Sequence, residues 1–174
     1  MAFEAKEIMR IDTERLFLRE MNREDFDSLF RVLGDSNIMQ YYPYTFDEAR
    51  VCKWIKTNME RYCVFGFGLW AVCLKTTGEL IGDCSLTMQN INGFILPEIG
   101  YHIRADQQRR GYAKEAASAV RDWGFLHTPF KALYSYMKTD NTASRKTAEA
   151  IGMHLVEAYA DIEGVRFSVY SISK

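Results

Sequence analysis

Apolar residues change their spacing several times along this chain, and each change marks an element. Leu16 and Leu18 alternate with polar neighbours in "RLFLRE", the two-residue period of a first strand. Phe26, Leu29, Phe30 and Leu33 then fall at i, i+3, i+4 and i+7, which predicts a helix capped by Asn22 and ended by Gly34. Thr45 with Glu48 has the capping-box spacing of a second helix, running to about Tyr62 and turning Val51, Trp54, Ile55 and Met59 inward. Three strand-like runs follow: "LWAVCL" from Leu69, "LIGDCSLTM" from Leu80 and "EIGYHI" from Glu98, with turns at Thr77–Gly78 and Asn92–Gly93. Consecutive strands joined by short turns predict an antiparallel meander. A third helix carries a stripe of Ala113, Ala116, Ala117, Val120 and Trp123, small enough to lie close on a sheet. "ALYSYM" from Ala132 is another strand, and a short helix runs from about Thr142 to Ile151. "HLVEAYAD" and "VRFSVYSIS" close the chain as a hairpin around Glu163–Gly164. The fold class is therefore a mixed α/β (α+β) layer, a mostly antiparallel sheet of about seven strands with about four helices.

Composition narrows the function more than the fold. The 174 residues carry 22 basic and 23 acidic side chains for a net charge of −1, which disfavours a nucleic-acid binder working through bulk charge. A single domain over residues 1–174 is expected at this length. No apolar run is long enough for a bilayer, so no membrane partner is expected. "MAFEAKEIMRID" lacks a signal peptide's apolar core, so the expected location is the cytoplasm. Cys52, Cys63, Cys73 and Cys84 lie ten or eleven residues apart without C-x-x-C spacing, which reads as reduced core thiols and no metal site. "GFGLWA" (Gly66 to Ala71) imitates a dinucleotide fingerprint, but a helix precedes it and a strand follows, the reverse of what that motif needs.

The stretch that calls for an explanation is "QQRRGYAKEAASAV", residues 107–120. Arg109 and Arg110 precede a helix N-terminus that is already positive, with no acid before Glu115. Cations there disfavour the helix unless an anion lies against them. A strand, a loop and a helix start with Gly111 at the junction make an anion cradle in outline. A solvated basic loop is the other reading of the same residues.

"QRRGYA" (Gln108 to Ala113) resembles the pyrophosphate motif of the GNAT N-acetyltransferases, with "EIGYHI" in the right place before it. "TERLFLRE", "LIGDCSL" and the late "NTAS" and "IGM" are similar to the same superfamily in the same order, most of all to its ribosomal-protein N-terminal acetyltransferase branch. The resemblance covers about residues 12 to 173. It implies a single GNAT-like domain whose strand ending at Ile103 splays from the one starting near Ala132. It implies that Arg109, Arg110, Gly111, Tyr112 and Ala113, within the motif that Gln108 opens, offer N–H groups to the diphosphate of acetyl-CoA. Backbone groups of Tyr101, His102 and Ile103 would pair with the pantetheine arm as an added strand, and Asn141 would bond the same arm. The implied partners are acetyl-CoA and an amine acceptor, either a protein N-terminus or a small molecule.

Acetyl transfer needs a neutral amine, a polarised carbonyl and a proton for the departing thiolate. Glu98, read as opening its strand beside the splay, is the expected base; a strand-end glutamate paired with Arg or Lys is the alternative. Many relatives carry a tyrosine seven residues after the asparagine, where this chain has Ala148. The ribosomal-protein branch has instead a serine three residues after it, so Ser144 is the expected proton donor, against an ordinary first-turn serine. Lysine is common in relatives where Ala150 stands. Alternation places Glu98, Gly100 and His102 on one face and Ile99, Tyr101 and Ile103 on the other. His102 is expected to pack or to sit at the rim, a second base being the other reading, and His127 and His154 to be structural. The resemblance implies that the loop of Tyr41, Tyr42 and Tyr44 walls the acceptor site, plain core or surface aromatics being the other reading, and "DSNIMQYY" with Asp47 and Glu48 gives only a hint of an acidic groove suited to polycations. A domain that binds acetyl-CoA as a sensor without turnover is the competing function. Acceptor and oligomeric state stay open at this stage.

Overall fold

The Asn92–Gly93 pair reverses the chain in two residues with φ of 47° and 86°, the left-handed values that a type I′ hairpin turn requires. A computed structural model describes residues 9–44 and 46–174. The turn joins β4 (Leu80–Ile91) to β5 (Phe94–Ile103), the longest ladder of the sheet, with Ile91 opposite Phe94 and Gly82 opposite Ile103. β1 (Arg10–Asp12), β2 (Leu16–Glu20) and β3 (Leu69–Leu74) continue the antiparallel run outward from β4. On the other side β6 (Ala132–Lys138) lies parallel to β5, and β8 (Arg166–Ser173) inserts between β6 and β7 (His154–Ala160). Among the described residues the sheet thus has eight strands, in the order β1-β2-β3-β4-β5-β6-β8-β7. The strand beyond the expected seven is β1, whose three residues alternate too briefly to read as an element.

Helices cover both faces. β3 is buried on each, so its sequence is continuously apolar. Leu69, Ala71 and Cys73 face α1 (Phe26–Leu33) and α2 (Glu48–Phe65), with Leu29, Leu33, Val51 and Ile55 in the same cluster. Trp70 and Val72 face α3 (Tyr112–His127), where Ala116, Ala117 and Val120 are fully buried. Removing such a side chain, Leu18→Ala for example, is expected to cost about 2–5 kcal/mol. α4 (Thr142–Ala150) follows β6 on the α3 side.

The helix starts differ from expectation in detail. Asn22 and Asp25 form a reciprocal capping box around a short 3-10 turn, Arg23–Asp25, that leads into α1. Arg19 holds the same buried Asp25 through two bonds of 2.6 and 2.8 Å. Thr45, expected as the cap of α2, lies outside the described residues. Asp47 performs that role, its carboxylate accepting from the Arg50 N–H at 2.8 Å. α2 also runs past Tyr62 to Phe65, because left-handed Gly66 is the first residue able to close it. Cys73 and Cys84 are buried while Cys52 and Cys63 are exposed on α2, so a core position holds for half of the thiols. No helix among the described residues is long and apolar enough to cross a membrane.

Candidate active site

Two open features meet at the end of β5. β5 and β6 share a single register pair, Glu98 with Tyr134, and beyond it the strands part. The freed edge of β5, at residues 101–103, therefore faces a gap. A turn through Arg109, Arg110 and Gly111 then leads into α3. Arg109 and Gly111 are left-handed, with φ of 59° and 83°. Left-handed residues in such a turn bring successive N–H groups to one side, an arrangement suited to anions. No side chain caps α3, and its first internal bond runs from Glu115 N–H to the Gly111 carbonyl at 3.0 Å. The amides of residues 111–114 are left without helix partners.

The surrounding side chains hold this turn in shape. Arg15 donates to the Arg110 carbonyl at 2.9 Å, lies over the Tyr112 ring at 4.6 Å and pairs with Glu115 at 2.7 Å. Thr13 donates to the same Glu115 carboxylate. Glu115 is thus spent on β1–β2, and the exposed Arg109 and Arg110 have no carboxylate partner among the described residues. The Gln108 side chain donates to the Ile103 carbonyl at 3.0 Å and so ties the turn to the end of β5.

Glu98 lies in the middle of β5 rather than at its start, since the turn at Asn92–Gly93 begins the strand at Phe94 and the strand continues through Pro97. It is 8% exposed. Burial pushes its carboxyl up to about 8, and among the described residues the opposing influence is the charge of His102. No Arg or Lys pairs with it among the described residues, which removes the strand-end ion pair. Gly100 leaves the space that the carboxylate occupies: a Cβ there would sit 3.2 Å from both oxygens.

His102 shares this face, as alternation requires. Its Nδ1 donates to Asp83 Oδ1 at 2.7 Å, and with that proton fixed the neutral ring accepts the Tyr42 hydroxyl at Nε2, 3.0 Å away. Burial is the largest influence on His102 and lowers its pKa. The charge and hydrogen bond of Asp83, with Glu98 behind them, outweigh it and hold the net value above the ordinary 6.5. Asp83 is fully buried, and its second oxygen has no partner among the described residues. Burial likewise raises the Tyr42 phenol far above its usual range, so it remains a neutral donor. His102 is therefore packed, as expected, but within a chain from Tyr42 to Asp83. Tyr41 joins no ring cluster or hydrogen bond among the described residues. Asp83 was missed in the sequence, although its signal was present: counting eight residues outward from the Ile91–Phe94 pair lands on Asp83 and His102.

The opposite face carries the second pair of groups. The Tyr101 hydroxyl donates to the Ser144 carbonyl at 2.8 Å and lies 3.2 Å from Ser144 Oγ. This bridges the gap from β5 to α4, so a phenol reaches Ser144 from Tyr101 where Ala148, fully buried, offers none. Asn141 caps α4, its Oδ1 accepting from Ser144 N–H at 3.1 Å, which leaves only its amide nitrogen for any arm in the gap. His127 packs against Trp123, their rings 5.1 Å apart, and His154 is exposed at the start of β7.

Comparison with known proteins finds relatives of this chain and of its fold. The family described as acetyltransferase (GNAT) domain matches residues 15–154. The protein YkkB of Bacillus subtilis (strain 168) is 35% identical over 146 residues, covering 83% of this chain and 85% of its own. A GNAT-family acetyltransferase from Bacillus anthracis superposes with a TM-score of 0.83 at 25% identity, covering 95% of this chain and 98% of its own. The ribosomal alpha-N-protein acetyltransferase RimL in complex with coenzyme A shares the fold at a TM-score of 0.80 and 18% identity, over 95% and 98% of the two chains.

Proposed function

The chain belongs to the GNAT acetyltransferase family, and from that premise we propose that it moves an acetyl group from acetyl-CoA to a primary amine by direct attack in a ternary complex, with Glu98 as the base. Acetyl-CoA supplies the activated acyl group; the coenzyme A held by RimL supports this choice of donor. The free amides at the head of α3 suit a diphosphate, with Arg109 and Arg110 adding charge. The open edge at Tyr101, His102 and Ile103 suits an extended arm, and Asn141 keeps Nδ2 for it. Ser144, hydrogen-bonded to Tyr101, stands as the proton donor on that side.

The observation that carries the proposal is a buried, unpaired Glu98 carboxyl at about 8 beside the gap in the sheet. A base of that strength takes a proton from an α-ammonium, whose pKa is about 7.7–8.0, at almost no cost, whereas a lysine-like ammonium near ~10.4 costs roughly 3 kcal/mol. Amines of lowered pKa are thus the better acceptors. Tyr42 and His102 wall the side from which such an amine meets Glu98.

Thiol release from acetyl-CoA, followed from pH 6 to 9.5 with a panel of amines, tests the assignment. The wild-type kcat/KM should rise as Glu98 loses its proton near pH 8, and Glu98→Gln should lose about 100-fold or more. Wild-type rates in Glu98→Gln would remove the base. Tight coenzyme A binding without turnover across the panel would instead favour the sensor.

A further inference from the structure

A cavity of about 210 Å³ opens behind the aromatic wall of the acceptor side, and its lining is cationic. Arg50, Lys53, Thr57 and Arg61 recur along one stripe of α2 and line it together with Trp54 and Tyr44. Like charges three residues apart disfavour a helix, yet none of these three cations has a carboxylate partner among the described residues. Lys56, outside the cavity, does reach Glu60 at 4.0 Å. Two of the three cations are held rather than loose. Arg50 lies over the Tyr44 ring at 4.3 Å, and Arg61 donates at 3.1 Å to Asn58, which is fully buried. Trp54 stands beside them in the lining, its indole N–H buried without a partner among the described residues, and can report on what enters. The acidic groove expected from Asp47 and Glu48 is not what forms, because Asp47 is consumed as the cap of α2.

The cavity is continuous with the acceptor wall. Phe46 and Trp54 line it, their rings 5.3 Å apart, and Trp54 lies 6.5 Å from the His102 ring on its other side. We infer that this cavity receives a carboxylate or phosphate carried by the acceptor, so that the preferred substrates are small amines with an anionic tail rather than polyamines. The inference rests on the transferase reading above. The volume holds one phosphate and a short linker, and three cations supply the charge-assisted donors that such a group needs.

The test has one arm independent of turnover. Protein labelled with ¹⁵N at tryptophan is saturated with coenzyme A and titrated separately with inorganic phosphate and with acetate. The Trp54 indole signal, assigned through Trp54→Phe, should shift saturably with at least one ion, the better ion identifying the tail. In the Lys53→Gln/Arg61→Gln double variant the binding should weaken by about tenfold or more. Absence of a Trp54 shift with either ion overturns the site. In the second arm, aminoalkanes of equal length ending in methyl, carboxylate, phosphate or ammonium are compared as acceptors. The anionic tails should raise kcat/KM about tenfold or more over methyl, and the double variant should lower it at least that much more for them than for methyl. Equal rates, or a preference for ammonium, overturns the inference. Failure of every amine with the Trp54 shift retained would sink the transferase reading and leave the anion site standing.

Discussion

Glu98→Gln should stabilise the protein, and should do so only above a certain pH. In the unfolded chain the carboxyl titrates near its ordinary 4.5, whereas in the fold burial holds it at about 8. Between these values the native state keeps a proton that the unfolded state has released. Stability therefore falls as pH rises through that window, and the loss is complete above about 8. At 1.36 kcal/mol per tenfold step the full displacement corresponds to about 5 kcal/mol, and water entry on ionisation reduces it, so about 2–5 kcal/mol is expected. Glutamine keeps the shape and never ionises. Urea unfolding of both proteins at half-unit steps from pH 4.5 to 9, followed by circular dichroism, isolates the effect, because groups common to both cancel in the difference. The curves should coincide near pH 4.5 and separate progressively up to pH 8–9, with the variant more stable. Parallel curves would show that Glu98 is solvated in the fold and would remove the basis for its raised pKa and for its role as a base matched to weak ammonium acids.

Asp83→Asn removes the larger part of what holds the His102 pKa up and leaves burial opposed by Glu98, so the imidazole titration read by NMR should drop; an unchanged value would refute the pairing. The same variant should lose about 1.5–3 kcal/mol of stability by urea unfolding, since it removes a buried charge-assisted hydrogen bond to the imidazole. Gly111→Ala must adopt φ of 83° with its Cβ 3.3 Å from Arg15. It should cost about 1–2 kcal/mol and weaken coenzyme A binding by calorimetry more than tenfold, whereas unaltered binding would place the diphosphate elsewhere. Tyr101→Phe and Ser144→Ala should each lower kcat by about 10–100-fold, and a Tyr101→Phe variant with full activity would show that the hydroxyl pair only fastens α4 to β5.

Much of this arrangement follows from local rules that a sequence displays. Alternation along "EIGYHI" separates Glu98 and His102 from Tyr101, and the structure gives those faces different partners: Tyr42 and Asp83 on one, Ser144 on the other. The stripe of Ala116, Ala117 and Val120 lies buried against the sheet as its spacing requires. Register was also within reach, because a two-residue turn fixes every pair along β4 and β5. What the sequence withheld depends on choices between near-equivalent residues or on distant encounters. Thr45 and Asp47 both have cap chemistry, and only the path of the chain selects Asp47. Glu98 reads as a strand start in the sequence, though β5 begins at Phe94 and passes through Pro97. The contact of Tyr101 with Ser144 spans 43 residues and two elements, so no local pattern carries it. Nothing in the sequence joins the cations of α2 to Tyr44 and Phe46, which only the chain path brings to the same cavity.

A crystal structure of the protein with coenzyme A tests the central claim most directly. The account predicts the diphosphate within hydrogen-bond distance of the main-chain N–H groups of residues 109–113, and the arm running between β5 and β6 beside Tyr101, His102 and Ile103. An empty turn at Arg109–Gly111, with the coenzyme elsewhere on the surface, would contradict it.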